Sequence, residues 1–512
     1  MAGAHVVVIG AGIGGLACAI DLARAGLSVT VLERAATAGG KMREVAVGDA
    51  RLDAGPTVFT MRWVFDALFD AAGADFDQAV RLQPLEVLAR HAWSLDERLD
   101  LFADRDRSVE AIGLFAGAQE ARGYRAFCAD AGRIYDTLRD TFLTAQKPGP
   151  IGLSQAIGLS RVGDLLGLKP FDTMQRALGA HFRDPRLTQL FGRYATYCGS
   201  SPYQAPATLM LIAHVEQTGV WAIVGGMQRL AEAMAGLARS VGVAFRYGAH
   251  VDRIDLAGGR AAGVTLAEGE QVQADAVVSN AGAGALTAGV FGASVSGAAP
   301  GPARAERSLS AVTWALKVRA EGFPLTRHNV FFSGDYAAEF ERVFAQGQLP
   351  GDPTVYVCAQ DRDEAAPAPD GPERLLLLVN APALGDRRPF PLEEIAACET
   401  RMFERLKQCG LTVARDSEPA TVTTPAGFET LFPATGGALY GPATHGWSAA
   451  FDRPGAATRI PGLYLAGGGS HPGAGAPMAA LSGRLAARRL LADQASTRPW
   501  RRAAMSGGMS TR

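Results

Sequence analysis

The sequence predicts an α/β fold in which a parallel sheet packed by helices carries an inserted mixed sheet and a helical cap. Three observations predict it. The chain opens with an apolar strand, a glycine turn and a helix; strand-rich segments return after a long helical stretch; a second strand, glycine turn and helix follow near the end. At 512 residues the chain exceeds the size at which one core keeps growing, so two or three domains are expected.

The opening unit is "VVVIGAGIGGLACAIDLARAGLSVTVLER", residues 6 to 34. Val6 to Ile9 read as a buried strand, and Leu16, Ala19, Ile20, Leu22 and Ala23 recur with helical spacing. Between them, Gly10, Gly12 and Gly15 allow a tight turn, the close approach of a pyrophosphate, and tight packing of helix on sheet. Phosphate charge would then sit among the free N–H groups of the helix N-terminus. A second β-branched run, Ser28 to Leu32, ends in Glu33, 18 residues after Gly15. That is close to the spacing of about 20 for a ribose-binding acid, and an acid there favours a free 2′-hydroxyl over a 2′-phosphate. The segment alone leaves NAD and FAD open.

Turn clusters follow at Gly39-Gly40-Lys41 and Asp53-Ala54-Gly55-Pro56-Thr57. From about 60 to 220 amphipathic helices dominate, among them "MRWVFDALFDAAG" and "RGYRAFCADAGRIYDTLRDTFL", and these build a cap. The α/β character returns with a helix from Met227 to Ala238 and strands around 243 to 255, 262 to 267 and 276 to 279. The strands "SAVTWALKV", "TVYVCAQ" and "LLLLVNAP", a helix near "LEEIAACETRMFERLKQCG" and the proline-rich surface loop "DRDEAAPAPDGPER" mark a middle section. Near the end, Gly462 to Ala466 form a strand, glycines follow, and a helix runs from about Pro477 to Ala492. The expected division is 1–75, 222–304 and 421–493 for a discontinuous nucleotide domain, 76–221 for a helical, membrane-facing cap, 305–420 for a substrate domain, and 494–512 for a disordered tail.

Lys plus Arg total 50 against 51 Asp plus Glu, so the chain lacks the basic footprint of a nucleic-acid binder. Six scattered cysteines without a CxxC suit free thiols in a reducing compartment and give no metal-site spacing. Residues 6 to 20 lack a preceding basic region, and the uncharged window 276 to 303 is too weakly apolar to span a bilayer. The expectation is an intracellular protein, soluble or peripheral.

The dinucleotide motif, the "VDRI" strand near 251 and the "LYLAGGGSHPGAG" turn together resemble the amine-oxidase-like FAD flavoproteins. Within them, "FGRYATYCGSSPYQAPATL", "GVWAIVGGMQRLAEAM", "ADAVVSNA" and "HNVFFSGDY" resemble the carotenoid (phytoene) desaturases, from residue 5 to about 490. The stretches "HVEQTGVWAIVGGM", "FETLFPATGGALYG" and "SHPGAGAPMAALSGR" resemble the 1-hydroxycarotenoid 3,4-desaturase branch of purple phototrophic bacteria, also called hydroxyneurosporene or methoxyneurosporene dehydrogenases. Phytoene desaturases commonly have PGV where this chain has Pro477-Met478-Ala479.

The resemblance implies FAD in a Rossmann-type domain. Gly10, Gly12, Gly14 and Gly15 would hold its pyrophosphate and Glu33 its adenosine ribose. Arg34, Gly40 and Lys41 would line the phosphate and flavin path, Val251 would meet the adenine edge, and Gly468, Gly469 and Met478 would approach the ribityl and isoalloxazine. Val251 also reads as a strand core residue, and Lys41 as a turn lysine.

The implied substrate is a C40 hydroxycarotenoid such as 1-hydroxyneurosporene, with quinone or oxygen as electron acceptor and a peripheral site on the cytoplasmic side of the inner photosynthetic membrane. The apolar stretch "IGLSQAIGLSRVGDLLGLKPF", residues 151 to 171, with Leu165, Leu166 and Leu168, is the candidate membrane contact. Removal of hydride from C4 and a proton from C3 needs no catalytic triad, and the sequence does not identify the base. His214, Glu216 and Gln217 are candidates for reading the substrate hydroxyl. Arg193, Tyr194 and Tyr197 are candidates for lining the site, and His471 for a place near the flavin. Two other readings stand beside this one: a phytoene-type desaturase of a non-hydroxylated carotene, and a non-catalytic prenyl-lipid carrier of the same fold.

Overall fold

The computed structural model describes residues 4–158, 167–299, 306–363, 368–414 and 419–505, with the backbone alone described over 497–505. Twelve strands build its two principal sheets. They are β1 (His5–Ile9), β2 (Ser28–Glu33), β3 (Val87–Ala92), β4 (Arg98–Phe102), β5 (Ala244–Tyr247) and β6 (Ala276–Ser279), followed by β7 (Ser310–Val318), β8 (His328–Phe331), β9 (Val355–Ala359), β10 (Glu373–Ala381), β11 (Ala420–Thr423) and β12 (Leu463–Leu465). The helices that position the site are α1 (Ile13–Arg24), α2 (Ala118–Leu138), α3 (Pro150–Ile157), α4 (Leu211–Gln217), α5 (Gln228–Ser240) and α6 (Ala476–Met505).

The first sheet is wholly parallel, in the order β12-β6-β1-β2-β5. Its central strand reads as an unbroken apolar run because both of its faces are covered. Val6 and Val8 join the core shared with α1, α5 and α6, while Val7 and Ile9 join a second core under the three-stranded antiparallel sheet of residues 251–273. Helices α1 and α6 pack closely where Gly483 passes the Gly14 carbonyl; a Cβ at Gly483 would lie 2.0 Å from that oxygen.

The second sheet is mixed, in the order β11-β7-β10-β9-β8-β3-β4. Its long antiparallel pair, β7 with β10, runs from Ser310 opposite Ala381 to Val318 opposite Glu373. One face packs on the helix Leu392–Gln408, where Trp314, Leu377 and Met402 share a core.

The structure corrects two readings. Residues 87–102, placed by sequence in the helical region, form the β3–β4 hairpin, and β3 adds in parallel to the edge of β8. The turn at Ser94–Glu97 reverses the chain, and Arg90 and Asp100 pair across the hairpin at 2.6 Å, so polar residues that blur the alternation hold the ladder instead. At the other end, α6 continues to Met505 through most of the expected disordered tail. Between 494 and 505 Gln, Ala, Arg and Met are good helix formers and no glycine occurs, while Pro499 removes one helical donor. Leu165 and Leu166 of the expected membrane contact lie outside the described residues.

Candidate functional site

Three chain segments converge on the glycine turn. A Cβ on Gly12 would lie 2.6 Å from Asn280 Nδ2, one on Gly14 2.7 Å from Gly467 Cα, and one on Gly15 2.2 Å from the Gly10 carbonyl. Gly10 itself takes φ +96°, which favours glycine. Gly12 caps α1 without a side-chain bond, and no acid stands in the first turn, so the helix presents open N–H groups to an anion. Glu33, 8% exposed, accepts from Ala11 N at 2.7 Å and from Ala35 N at 2.8 Å. It thus holds the turn while each oxygen keeps a lone pair for a ribose hydroxyl. This cradle fits a dinucleotide.

Around it, Gly40 extends the turn, its Cβ position 3.2 Å from Gly12 Cα. Lys41 donates to the Leu439 carbonyl at 2.6 Å; burial and the nearby Arg453 push its pKa down to about 8. Arg34 is exposed and binds the Thr430 and Leu431 carbonyls at the end of the helix Pro425–Leu431. Val251 is buried opposite Leu266, and the nearby Ala249 N–H donates to the Glu33 carbonyl at 2.9 Å, which ties this strand to the end of β2. Gly468 and Gly469 follow β12, and the Gly468 carbonyl accepts from Arg453 at 3.1 Å.

A cavity of about 620 Å³ lies between the Pro472–Met478 segment after β12, the mixed sheet and the helices around residues 138–215. Its walls include Leu138, Phe142, Leu143, Ile212 and Val215, and Pro472 to Met478 bound it on the nucleotide side. Phe171, 80% exposed, and Trp447, 52% exposed, line the same cavity, so it opens to solvent between aromatic side chains. Their rings are in contact, with centroids 5.9 Å apart.

Two polar groupings interrupt this apolar wall. In the first, Glu216 accepts from the hydroxyls of Tyr194 and Tyr197, both at 2.6 Å, and Arg193 donates to the Tyr197 hydroxyl at 3.3 Å. Burial pushes the Glu216 carboxyl above its ordinary range, against the two phenol hydrogen bonds and Arg193, which lower it. In the second, the Tyr356 hydroxyl meets Thr57 Oγ1 at 2.6 Å and His328 Nδ1 at 2.7 Å. Burial pushes His328 down to about 3, so the imidazole is neutral.

The structure divides the polar triplet proposed from sequence. Glu216 faces the cavity; the other two do not line it. Gln217 accepts from Tyr124 OH at 2.8 Å and donates to the Ala103 carbonyl at 2.7 Å, and the His214 ring packs tilted against Tyr135, centroids 4.9 Å apart. Successive side chains of α4 point in different directions, so adjacency in sequence did not place them together. His471 also stays out of the cavity: its Nε2 meets the Ala145 carbonyl at 3.1 Å, its ring packs on Phe142, and burial pushes its pKa down to about 4. Sequence reasoning missed Asn280, Arg453 and Tyr356. Asn280 had a signal, standing where β6 ends beside the glycine turn.

The model of the flavin-containing amine oxidoreductase family matches residues 13–491. The chain belongs to that family. Membership in the flavin-containing amine oxidoreductases makes FAD the cofactor. The chain is similar to hydroxyneurosporene desaturase of Rubrivivax gelatinosus, 55% identical over 99% of this chain and 97% of the relative. It is also similar to that of Cereibacter sphaeroides, 48% identical over 96% and 98%. Among more distant relatives is a 4,4'-diapolycopene oxygenase of Methylomonas sp, 31% identical over 96% of this chain and 98% of the relative. Among solved structures, an oxidoreductase from Methanosarcina mazei superposes with TM-score 0.57 at 17% identity, covering 94% of this chain and 99% of that one. Putrescine oxidase superposes with TM-score 0.51 at 14% identity, covering 96% and 99%. These structures share the family's fold.

Proposed function

We propose that the chain is an FAD-dependent desaturase that introduces the C3–C4 double bond into 1-hydroxycarotenoids such as 1-hydroxyneurosporene. The observation that carries this reading is an apolar cavity bounded by Pro472 to Met478 beside the FAD cradle, in a chain 45 to 55% identical to three hydroxyneurosporene desaturases over nearly its whole length. FAD, when bound, supplies the two-electron acceptor for this chemistry. Such a substrate has a tertiary alcohol at C1, saturated carbons at C2 to C4 and a polyene from C5. Hydride loss from C4 leaves a cation spread over the polyene, and proton loss from C3 completes the alkene. The apolar walls hold the chain in place and exclude the water that would trap that cation. Reoxidation by a quinone or oxygen closes the cycle.

Substrate enters from a lipid surface on this reading. No described helix is long and apolar enough to cross a membrane. Instead Ile151 on α3, 76% exposed, and the exposed Phe171 and Trp447 at the cavity mouth form a contact that dips into one leaflet. Leu168, one of the leucines marked from sequence, is buried and lines the cavity instead. Replacing Ile151, Phe171 and Trp447 by serine should move the protein from sedimenting lipid vesicles to the supernatant; unchanged sedimentation of a folded variant excludes this surface.

Expression in cells that accumulate 1-hydroxyneurosporene tests the activity. One further conjugated double bond, seen as a red-shifted pigment spectrum, is expected. Conversion of neurosporene in preference to 1-hydroxyneurosporene would favour a phytoene-type desaturase, and a folded protein that takes up no FAD would favour a lipid carrier.

A further inference from the structure

A desaturase of this kind must tell an oxygenated chain end from a hydrocarbon one, and most polar atoms around the cavity are already engaged. Both Glu216 oxygens accept tyrosine protons, and the Tyr356 hydroxyl is shared between Thr57 and His328. Arg453 spans the carbonyls of Tyr440, Gly468 and Pro442. Neutral hydroxyls such as those of Tyr440 and Thr208 also line the cavity.

Arg193 differs from all of these. Its guanidinium carries five N–H donors and a charge, and among the described residues its one hydrogen bond is the 3.3 Å contact to Tyr197. The ring faces of Tyr197 and Tyr356 hold it, with centroids 5.3 and 5.4 Å away, which fixes the plane without using the donors. Tyr197 links it to Glu216, so the cation has a nearby counter-charge but keeps free donors at the cavity.

We infer that Arg193, held between Tyr197 and Tyr356 in the wall of the apolar cavity, donates hydrogen bonds to the oxygen on C1 of the substrate and selects oxygenated chain ends. The inference rests on the desaturase reading. A guanidinium only donates, so it reads lone pairs and has no use for the substrate's hydroxyl proton. A hydrocarbon end leaves the charged donors facing methyl groups, which is the penalty that makes a polar site reject an analogue lacking the polar atom. C1 stands three bonds from C4, so the group that reads the oxygen also fixes which carbon meets the reacting face of the site.

The test compares FAD-loaded wild type, Arg193→Leu and Arg193→Lys on 1-hydroxyneurosporene, its O-methyl ether and neurosporene, by kcat/KM and by equilibrium binding from quenching of protein fluorescence. Wild type should prefer both oxygenated compounds to neurosporene. Arg193→Leu should reduce that preference by about ten- to a hundredfold, the range for loss of one charge-assisted hydrogen bond. Arg193→Lys, which keeps a cationic donor, should restore part of it. FAD content and unfolding midpoint confirm that each variant is folded, and the lysine variant decides the matter if the leucine variant does not fold. An undiminished preference in Arg193→Leu overturns the inference, as does rejection of the O-methyl ether by wild type, because the substrate proton would then be read by an acceptor. If wild type converts none of the three, the desaturase reading fails; the binding preference and its loss in Arg193→Leu still decide the role of Arg193.

Discussion

Replacing Gly468 by alanine separates glycines that the protein's own packing demands from those that a cofactor demands. A Cβ built at Gly468 meets nothing nearer than Ala474 Cα at 3.6 Å, an ordinary contact. At Gly14 the same atom would lie 2.7 Å from Gly467 Cα and 2.8 Å from Gly467 N, where backbone must move. The apoprotein should therefore tolerate Gly468→Ala, with stability changed by no more than about 0.5 kcal/mol. Gly14→Ala should cost it about 1–3 kcal/mol, as overpacking does. If FAD runs past Gly468, the added methyl intrudes on the cofactor, and a penalty of about 1–3 kcal/mol weakens FAD binding roughly five- to a hundredfold. Fluorescence titration of each apoprotein with FAD, alongside urea unfolding, gives both quantities. An unchanged Kd for Gly468→Ala would remove this residue from the cofactor wall, and a large loss of apoprotein stability would place Gly468 among the glycines that the protein's own packing demands.

Other outcomes follow from the same distances. Gln217→Leu strips Tyr124 and the Ala103 carbonyl of their partner, so it should cost about 1–3 kcal/mol in urea unfolding while leaving the ratio of kcat/KM values for hydroxylated and plain substrates unchanged. Glu216→Leu leaves two tyrosine hydroxyls without an acceptor and should destabilise by about 2–6 kcal/mol, more than Glu216→Gln, which keeps one acceptor oxygen; equal losses would mean that the hydroxyls find other partners. His91 and His328 are pushed down to about 3 and His471 to about 4, each chiefly by burial. Below pH 6.5 the unfolded chain binds protons that the folded one refuses, so stability falls as pH drops from about 6.5 towards 4, by up to about 1.4 kcal/mol per pH unit for each histidine. Urea midpoints at pH 7, 6 and 5 should fall in that order, and His91→Gln should flatten the slope.

The nucleotide half was legible because its signals are local. A strand buried on both faces, a turn that needs glycine, and an acid at the end of the next strand are each written within a few residues, and Val6, Gly12 and Glu33 stand where that grammar puts them. The β3–β4 hairpin was hidden for the opposite reason. Its partner β8 lies far along the chain, and its own alternation is diluted by Arg90 and Asp100, whose pairing is visible only once the strands are side by side. The cavity's polar corner was half legible. Glu216 announced itself as an acid in an apolar run, but the side chains that complete it, Arg193 and Tyr197, come from a different turn of the cap. Nothing in the spacing from 193 to 216 says that they meet, and His214 and Gln217, closer in sequence, face other neighbours.

The way β1, β6 and β12 lie side by side sets the timing of biosynthesis. Ile9 waits for Ser279, and that strand waits in turn for Leu465. At roughly 5–20 residues per second, the ribosome delivers the first of these partners about 15 to 50 s after β1 has been made. During that interval one long edge of an apolar strand has no neighbour, the condition under which nascent chains pair with the wrong partner or recruit chaperones. Gly467, which closes the cradle against Gly14, comes later still. If this cradle receives FAD, the cofactor cannot act as a template for early folding: the cradle is complete only when almost the whole chain has been translated, and a nascent chain halted before β12 would have a glycine turn with one wall missing.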